Sequence, residues 1–297
     1  MPTRQKLSIA VCLILLCIAL FNSHVYATFI YDITEFEQEN DPSTPATFFN
    51  DTFSDGFEPP SGPSGPSTYF MPGAFGPNRE SGGLLELNSA DAVVFGDGIR
   101  RRFAVVRDST FFFSPNVGGH VIGKFDVTTN GFFPRSGFGI RIRNIASVGG
   151  LPATTDFARM NIRVNPSGNK FASWGDESSN NGEDITSALG ANTLITMKLE
   201  MNTSNQVTAM WDYGSDGTFD LTKSIFTTLS FTPGDPDDIF TGSFEAGEPI
   251  PEPTTIALLG IGLVGLGGMY LRRRIKKKSQ KMRNSNIEIR NFLADNK

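Results

Sequence analysis

The middle of the 297-residue chain alternates apolar and polar residues with a period of two, and this pattern constrains the fold more than any other feature. Between Thr193 and Met201 every second residue is apolar, and the alternation recurs over residues 138–143, 158–164 and 207–213. Arginines hold polar positions in two of these segments: Arg141, Arg143, Arg159 and Arg163. A strand with this pattern buries one face and leaves the other in water. We therefore expect β-strands whose arginines face solvent.

Turn-forming residues separate these segments. They are found at Asn130-Gly131, Asn165 to Asn169, Asn181-Gly182 and Ser215 to Gly217. Asn, Asp and Gly favour tight turns because they tolerate positive φ or bond to their own backbone. No stretch between residues 28 and 246 combines a 3.6-residue period with helix caps. The sequence therefore predicts a single all-β domain over residues 28–246, built as an antiparallel β-sandwich.

The net charge of −5 divides unevenly along the chain. Residues 28–250 hold 14 basic and 28 acidic residues, which gives this central body a charge of −14. Residues 1–27 carry +2 and residues 251–297 carry +7. A body of that sign repels nucleic acid, so we do not expect a nucleic-acid partner.

Residues 1–27 are typical of a secretory signal peptide. A short basic start precedes an apolar run from Leu7 to Phe21, and Val25-Tyr26-Ala27 supplies the small residues of a cleavage site after Ala27. Both cysteines, Cys12 and Cys17, lie within this segment. Lipidation at Cys17 is disfavoured because a leucine precedes it. The mature chain would have no thiol and one histidine, His120, which excludes disulfides, cysteine nucleophiles and multi-histidine metal sites.

The C-terminal segment is typical of a membrane anchor. A proline-rich linker is expected at residues 247–253, and an uncharged run of 18 residues follows from Thr254 to Leu271. This length is just sufficient to span a bilayer as a helix. The arginines Arg272, Arg273 and Arg274 come next and would stay in the cytoplasm, with a basic cytoplasmic tail over residues 275–297. The acidic body is then held outside the cytoplasm.

This tripartite segment resembles the PEP-CTERM sorting signal of bacterial surface proteins. The resemblance covers residues 251–274 and rests on Pro251-Glu252-Pro253, the glycine-rich apolar run and the arginine cluster. It implies recognition of Pro251, Glu252 and Pro253 by an exosortase-type processing enzyme, with Arg272 to Arg274 as the membrane stop. It also implies an inner-membrane anchor in an exopolysaccharide-producing host, with release to the cell surface or matrix after processing. The 23 residues after the arginine cluster depart from the family pattern.

The order of landmarks over residues 50–244 resembles the concanavalin A-like jelly roll of secreted lectins and glucanases. The landmarks are Phe49 to Gly56, Gly82 to Leu87, Thr193 to Met201 and the hairpin from Val207 to Asp220. The resemblance implies two facing sheets and a face on which sugars bind. The catalytic pattern Glu-x-Asp-x-x-Glu of the glucanases is absent, so we expect no enzymatic activity.

Other catalytic arrangements are also incomplete. Asp176-Glu177 and Glu183-Asp184 are acidic pairs, but adjacent residues on a strand point to opposite faces, and residues 178–182 are expected to form a loop. His120 lacks the Gly-x-Ser-x-Gly elbow that often presents a nucleophilic serine. Solvated loop acids and a strand-end histidine are the favoured interpretations.

The loop from Asp212 to Asp220 is the best candidate for a cofactor site, and the cofactor would be calcium. Asp212, Asp216 and Asp220 stand at positions 1, 5 and 9 of a calcium-loop pattern, with Gly217 at position 6. Gly214 and Lys223 occupy positions where that loop requires oxygen ligands. The alternative is a β-hairpin turn in which Asp216-Gly217 supplies the positive-φ residues. The turn is favoured, and no other cofactor is expected.

Aromatic residues offer a candidate carbohydrate platform. Trp211 and Tyr213 share a strand face with Val207 and Ala209 and are expected in the core. Trp174 lies beside Gly175 and Asp176 and is the better candidate for an exposed surface on which a sugar ring stacks.

The combined expectation is an exported, membrane-anchored bacterial surface protein with a jelly-roll-like domain that binds polysaccharide. The first alternative is a glycan-active hydrolase that uses Glu177 and Glu183. The second is a purely structural surface protein. Binding to immobilised exopolysaccharide separates the first expectation from the structural alternative.

Overall fold

A computed structural model describes residues 29–44, 48–54, 69–70, 80–94, 99–144, 157–176, 179–229 and 240–249. All of them belong to one compact unit, Ala27–Ile250. The expected signal peptide, the anchor and the basic tail lie outside the described residues. Within the described part of the chain, no helix is long and apolar enough to cross a membrane.

Fifteen strands account for most of the described residues. They are β1 (Ile30–Glu39), β2 (Phe48–Asp51), β3 (Tyr69–Phe70), β4 (Leu85–Asn88), β5 (Val93–Val94), β6 (Ile99–Val106), β7 (Gly119–Asp126), β8 (Gly137–Asn144), β9 (Phe157–Val164), β10 (Lys170–Gly175), β11 (Asn180–Asp184), β12 (Leu194–Met201), β13 (Gln206–Tyr213), β14 (Leu221–Thr228) and β15 (Phe240–Pro249). One helical turn, α1 (Thr186–Leu189), and two 3-10 turns complete the set.

The strands form two antiparallel sheets, which confirms the predicted all-β, jelly-roll-like sandwich. The seven-stranded sheet has the order β14-β13-β12-β7-β1-β2, with β4 also paired to β1. The eight-stranded sheet has the order β11-β10-β9-β8-β15-β6-β3, with β5 also paired to β6. Neighbours such as β8 and β15 are far apart in sequence, so the centre of the eight-stranded sheet is assembled from distant segments.

The alternating apolar residues form the core between the sheets, as predicted. Ile195, Met197 and Leu199 of β12 are fully buried. They meet the inward side chains of the eight-stranded sheet, which include Ile140 on β8 and Met160 on β9. At roughly 1.5–3 kcal/mol for each large apolar side chain removed from water, these facing rows hold the two sheets together.

Two boundaries differ from the expectations. β15 continues to Pro249, so residues 247–249, which were expected in the linker, belong to the eight-stranded sheet. β15 pairs with β6 as far as Pro249, which lies opposite Ile99. The prolines had suggested a linker, but Pro249 is the last residue of this strand. Residues 180–184 form β11 rather than a loop and a turn, because they complete the edge of this sheet beside β10.

Candidate functional site

The outer face of the eight-stranded sheet carries a cluster of arginines, which we call the arginine face. It comprises Arg101, Arg141, Arg143, Arg159 and Arg163, contributed by β6, β8 and β9. Register places these residues in rows across the sheet. Arg101 pairs with Gly247, Gly247 with Gly137, and Gly137 with Arg163. Two arginines therefore flank two glycines across four adjacent strands.

A single carboxylate holds the middle of the arginine face. Glu245 on β15 accepts hydrogen bonds from Nε and Nη2 of Arg141, the first at 2.8 Å, and its second oxygen lies 3.3 Å from Nη2 of Arg143. All three side chains are buried. Burial raises the pKa of Glu245, but Arg141, Arg101 and Arg143 together lower it to about 2. Burial and the neighbouring Arg141 lower the pKa of Arg143 to about 9.

An open cavity of about 410 Å³ lies on this face. Its lining includes Arg101, Arg159, Asn161, Arg163 and the two glycines Gly137 and Gly247. A Cβ at Gly137 would approach the carbonyl oxygen of Ile162 to 2.5 Å, and one at Gly247 would approach that of Arg100 to 2.7 Å. The glycines therefore allow the strands to pair closely while leaving the space between the arginines open.

Two side chains on β9, Asn161 and Arg159, line this cavity and have buried polar atoms without a hydrogen-bond partner among the described residues. Asn161 is only 9% exposed, and the unpartnered atom is its Oδ1. In Arg159 it is Nε. Burial and the charge of Arg141 lower the pKa of Arg159 to about 10 and also lower the pKa of Arg163. A buried polar group without a partner is costly, so this wall of the cavity is suited to a polar ligand.

The sequence predicted that Arg141, Arg143, Arg159 and Arg163 alternate with core residues, and this is confirmed. It also predicted that they face water, and this is wrong for Arg141 and Arg143, which are 9% and 5% exposed. They are buried because Glu245 and two aromatic rings cover them. The ring of Phe157 lies 5.1 Å from Cζ of Arg141, and the ring of Phe103 lies 5.4 Å from Cζ of Arg143. Glu245 and Gly247 were not identified from the sequence, since only the pairing of β15 with β8 places them beside the arginines.

The loop from Asp212 to Asp220 is a tight hairpin connection. Asp212 is 2% exposed, and its carboxylate accepts hydrogen bonds from the N–H groups of Asp216 at 3.2 Å and Gly217 at 2.8 Å. The carboxylate of Asp220 accepts the N–H of Tyr213 at 2.7 Å. These acids therefore hold the turn together.

The described residues contain no group of three or more His, Cys, Asp or Glu side chains that could hold a metal ion. Asp212, Asp216 and Asp220 each accept a hydrogen bond from a backbone N–H group, and calcium binding by this set stays a prediction. The favoured turn also differs in one detail. Positive φ angles occur at Gly214, Ser215 and Gly217, and not at Asp216.

Trp174 is not the exposed platform that the sequence predicted. It is partly buried and packs against the core, with its ring 6.0 Å from that of Trp211 in an edge-to-face arrangement. The ammonium of Lys223 lies 5.3 Å from the centre of its ring. Trp174 and the buried Ala172 are two residues apart on β10, so their side chains lie on the same face of the strand, between the sheets. Trp211 and Tyr213 are in the core, as predicted.

Glu183, Asp176 and His120 each bond to another residue of the domain. Glu183 forms an ion pair with Lys223 at 2.6 Å, and Asp176 accepts a hydrogen bond from the Ser179 N–H at 2.7 Å. Glu177 lies outside the described residues. His120 on β7 bonds to Glu37 at 2.7 Å, on the outer face of the other sheet.

The expected sorting residues Pro251, Glu252 and Pro253 and the membrane stop Arg272 to Arg274 also lie outside the described residues. Comparison with known families does cover them, since residues 249–274 match the PEP-CTERM protein-sorting motif. This confirms the resemblance found in the sequence. The motif is recognised by exosortase and implies an exported, membrane-anchored surface protein.

Solved structures give distant matches to the domain. The carbohydrate recognition domain of Emp47p matches with a TM-score of 0.36 and 9% identity, covering 71% of this chain and 90% of that one. A β-1,3-glucanase from Mycobacterium marinum matches with a TM-score of 0.29 and 12% identity, covering 69% and 89%. A protein of unknown function from Shewanella oneidensis MR-1 matches with a TM-score of 0.28 and 11% identity, covering 84% and 87%. No curated protein matches the sequence.

Proposed function

We propose that this surface protein binds polysaccharide in the cavity on the arginine face, without cleaving it. The observation that carries the proposal is the open cavity of about 410 Å³, whose lining includes buried polar groups that have no partner among the described residues. Sugar hydroxyls both donate and accept hydrogen bonds, and arginine and asparagine are side chains that can bond to them. A sugar unit in the cavity would satisfy Asn161 and Arg159 together.

The binding proposal is tested by retention of the purified chain on immobilised exopolysaccharide of the host, with and without calcium. We expect retention in both conditions, because the acids of the Asp212 to Asp220 loop are bonded to backbone N–H groups. Asn161→Ala should weaken retention, whereas Trp174→Phe should not. If the chain is not retained, polysaccharide binding is contradicted and the domain has a structural role. Retention only in the presence of calcium would support a calcium site in the Asp212 to Asp220 loop.

We also propose a route to the surface. The segment from Thr254 to Leu271 would hold the body on the outer side of the inner membrane, and an exosortase would act at Pro251-Glu252-Pro253 to release it to the surface or matrix. The support is the match of residues 249–274 to the sorting motif. Cell fractionation of Glu252→Ala should show the chain accumulating in the membrane fraction, with Glu288→Ala as the control. Equal release of both variants would contradict this route.

One observation favours the hydrolase alternative, and it concerns Glu245 and Glu248. Both line the cavity, and burial raises the pKa of Glu248 while the arginines lower that of Glu245. Glycosidases use two carboxyl groups with pKa values separated in this way. However, residues three apart on β15 point to opposite faces, and Glu245 is held by Arg141 and Arg143.

We therefore propose binding rather than hydrolysis. The test is the release of reducing ends from exopolysaccharide by the wild type and by Glu248→Gln. We expect no release from either. Release by the wild type that is lost in Glu248→Gln would establish the hydrolase.

A further inference from the structure

The cavity is lined by more arginines than acids. Arg101, Arg135, Arg141, Arg159 and Arg163 line it together with two acids, Glu245 and Glu248. Both acids already have arginine partners, because Glu245 bonds to Arg141 and Glu248 lies 3.3 Å from Nη1 of Arg100. Among the described residues, Arg159 and Arg163 form no ion pair, so two guanidinium groups remain available to a ligand.

The spacing of these groups is set by β9. Arg159, Asn161 and Arg163 occupy alternate positions and share one face of the strand. Alternate residues on a strand are about 7 Å apart, so two cationic groups flank the Asn161 amide at that spacing. The row that contains Gly247 and Gly137 leaves the neighbouring surface open as far as Arg101. A ligand can therefore reach the cations and the amide together.

The guanidinium groups and the Asn161 amide oxygen require different hydrogen-bond partners. A guanidinium offers a planar fork of N–H donors that matches a carboxylate in a two-bond geometry. The Asn161 Oδ1 atom is an acceptor and requires a donor, which an anionic group by itself does not supply but a sugar hydroxyl does. A sugar unit that carries a carboxylate has both an anionic group and hydroxyl donors.

We infer that the cavity binds a uronic-acid-type sugar unit, with its carboxylate on one of the two guanidinium groups, Arg159 or Arg163, and a ring hydroxyl on Asn161 between them. This inference rests on the proposed polysaccharide binding and names the class of polysaccharide as acidic. The body's charge of −14 opposes polymers of high charge density, such as nucleic acid, and tolerates one carboxylate per sugar better. The arginine face is thus a local cationic surface on an acidic protein.

The test measures binding of the full chain in detergent micelles to polygalacturonate, polymannuronate and methyl-esterified polygalacturonate. Esterification removes the charge and keeps the sugar backbone. We expect at least one uronate to bind at least tenfold more tightly than the ester. The double variant Arg159→Gln/Arg163→Gln should bind that uronate at least tenfold more weakly, whereas Lys198→Gln on the other sheet should bind like the wild type. Among the described residues Arg159 and Arg163 form no ion pair, and Arg159 only packs 5.5 Å from the centre of the Phe157 ring, so the double variant should remain folded, which its thermal unfolding curve checks.

The outcomes separate this inference from the proposed function. Equal binding of the uronate and its ester, or unchanged binding by the double variant, would overturn carboxylate recognition and leave polysaccharide binding in place. If neither uronate bound but the chain was retained on host exopolysaccharide, carboxylate recognition would likewise be overturned and polysaccharide binding would stand. Failure of every polysaccharide would overturn both. Duplex DNA binding as tightly as the uronate would show attraction by charge alone and would also overturn the inference.

Discussion

The outer faces of the two sheets carry charges of opposite sign, and the two faces differ in how these charges are paired and buried. The seven-stranded sheet presents four acids from β1, of which Glu35 pairs with Lys124 at 2.6 Å and Glu37 with His120 at 2.7 Å. These pairs are partly exposed and involve neighbouring strands. On the arginine face one buried acid, Glu245, serves several arginines. The ion pairs of the first face are partly solvated, whereas those of the second face are buried.

This difference predicts opposite responses to pH. The folded-state pKa of Glu245, about 2, lies below its ordinary 4.5, so its contribution to stability is present above pH 4.5 and is lost as pH falls towards 2. Asp32, on the acidic face, has its pKa raised to about 6 by burial and by the charges of Glu86 and Asp126. Its effect has the other sign, because stability falls as pH rises from about 4 to about 6.

The largest effect is expected for Glu245→Ala, which removes the acid that compensates Arg141 and Arg143. Leaving buried guanidinium groups without their partner should lower the free energy of unfolding by about 3–5 kcal/mol. Urea unfolding followed by the fluorescence of Trp174 and Trp211 measures it. The control is Glu200→Ala, whose acid is half exposed and pairs with Lys198. Equal losses in the two variants would remove the distinction between the faces.

Gly139→Ala should be the next largest in effect. A Cβ at Gly139 would meet the carbonyl oxygen of Met160 and would lie 2.6 Å from Cβ of Asn161, so β8 and β9 would have to separate. We expect a loss of about 1–3 kcal/mol, with weaker ligand binding. Gly182→Ala is the matched control, since its nearest contacts would be 3.6 Å away. The same unfolding assay distinguishes them, and a neutral Gly139→Ala would contradict the close pairing.

Asp32→Asn should stabilise the protein on the acidic face. At pH 7 it removes a charge that burial and two neighbouring acids disfavour, and we expect a gain of about 1 kcal/mol. At pH 4 the native Asp32 is protonated, so the variant and the wild type should be equally stable. Urea unfolding at both pH values checks this, and a gain that is the same at pH 4 would refute the raised pKa.

The smallest effect is expected for Lys198→Gln, which breaks an exposed pair with Glu200 at 3.0 Å. Such pairs contribute about 0–1 kcal/mol, and the free energy of unfolding should change by less than about 0.5 kcal/mol. The unfolding curve of this variant measures the difference. A large loss would mean that the acidic face is also organised around buried charge.

The sequence predicted the sandwich well because the burial pattern of each strand is contained in that strand's own residues. The alternation from Thr193 to Met201 fixes which side chains of β12 are buried, and the pairing of β12 with β13 follows the hairpin. The arginine face depends instead on the pairing of β8 with β15, strands separated by more than ninety residues. Sequence alone showed alternating arginines, but not that Glu245 and Gly247 lie beside them. Trp174 was misplaced because the parity of β10 was not assigned.

The central claim is that ligand binds to the arginine face and not to the acidic face or near Trp174. Its most direct test is an NMR titration of the full chain with a uronate oligosaccharide, observing the Nε–Hε signals of the arginines and the indole signals of both tryptophans. We predict shifts for Arg159 and Arg163, with Trp174 and the amides of β1 unchanged. Shifts centred on Trp174 or on β1, with the arginine signals unmoved, would contradict the account.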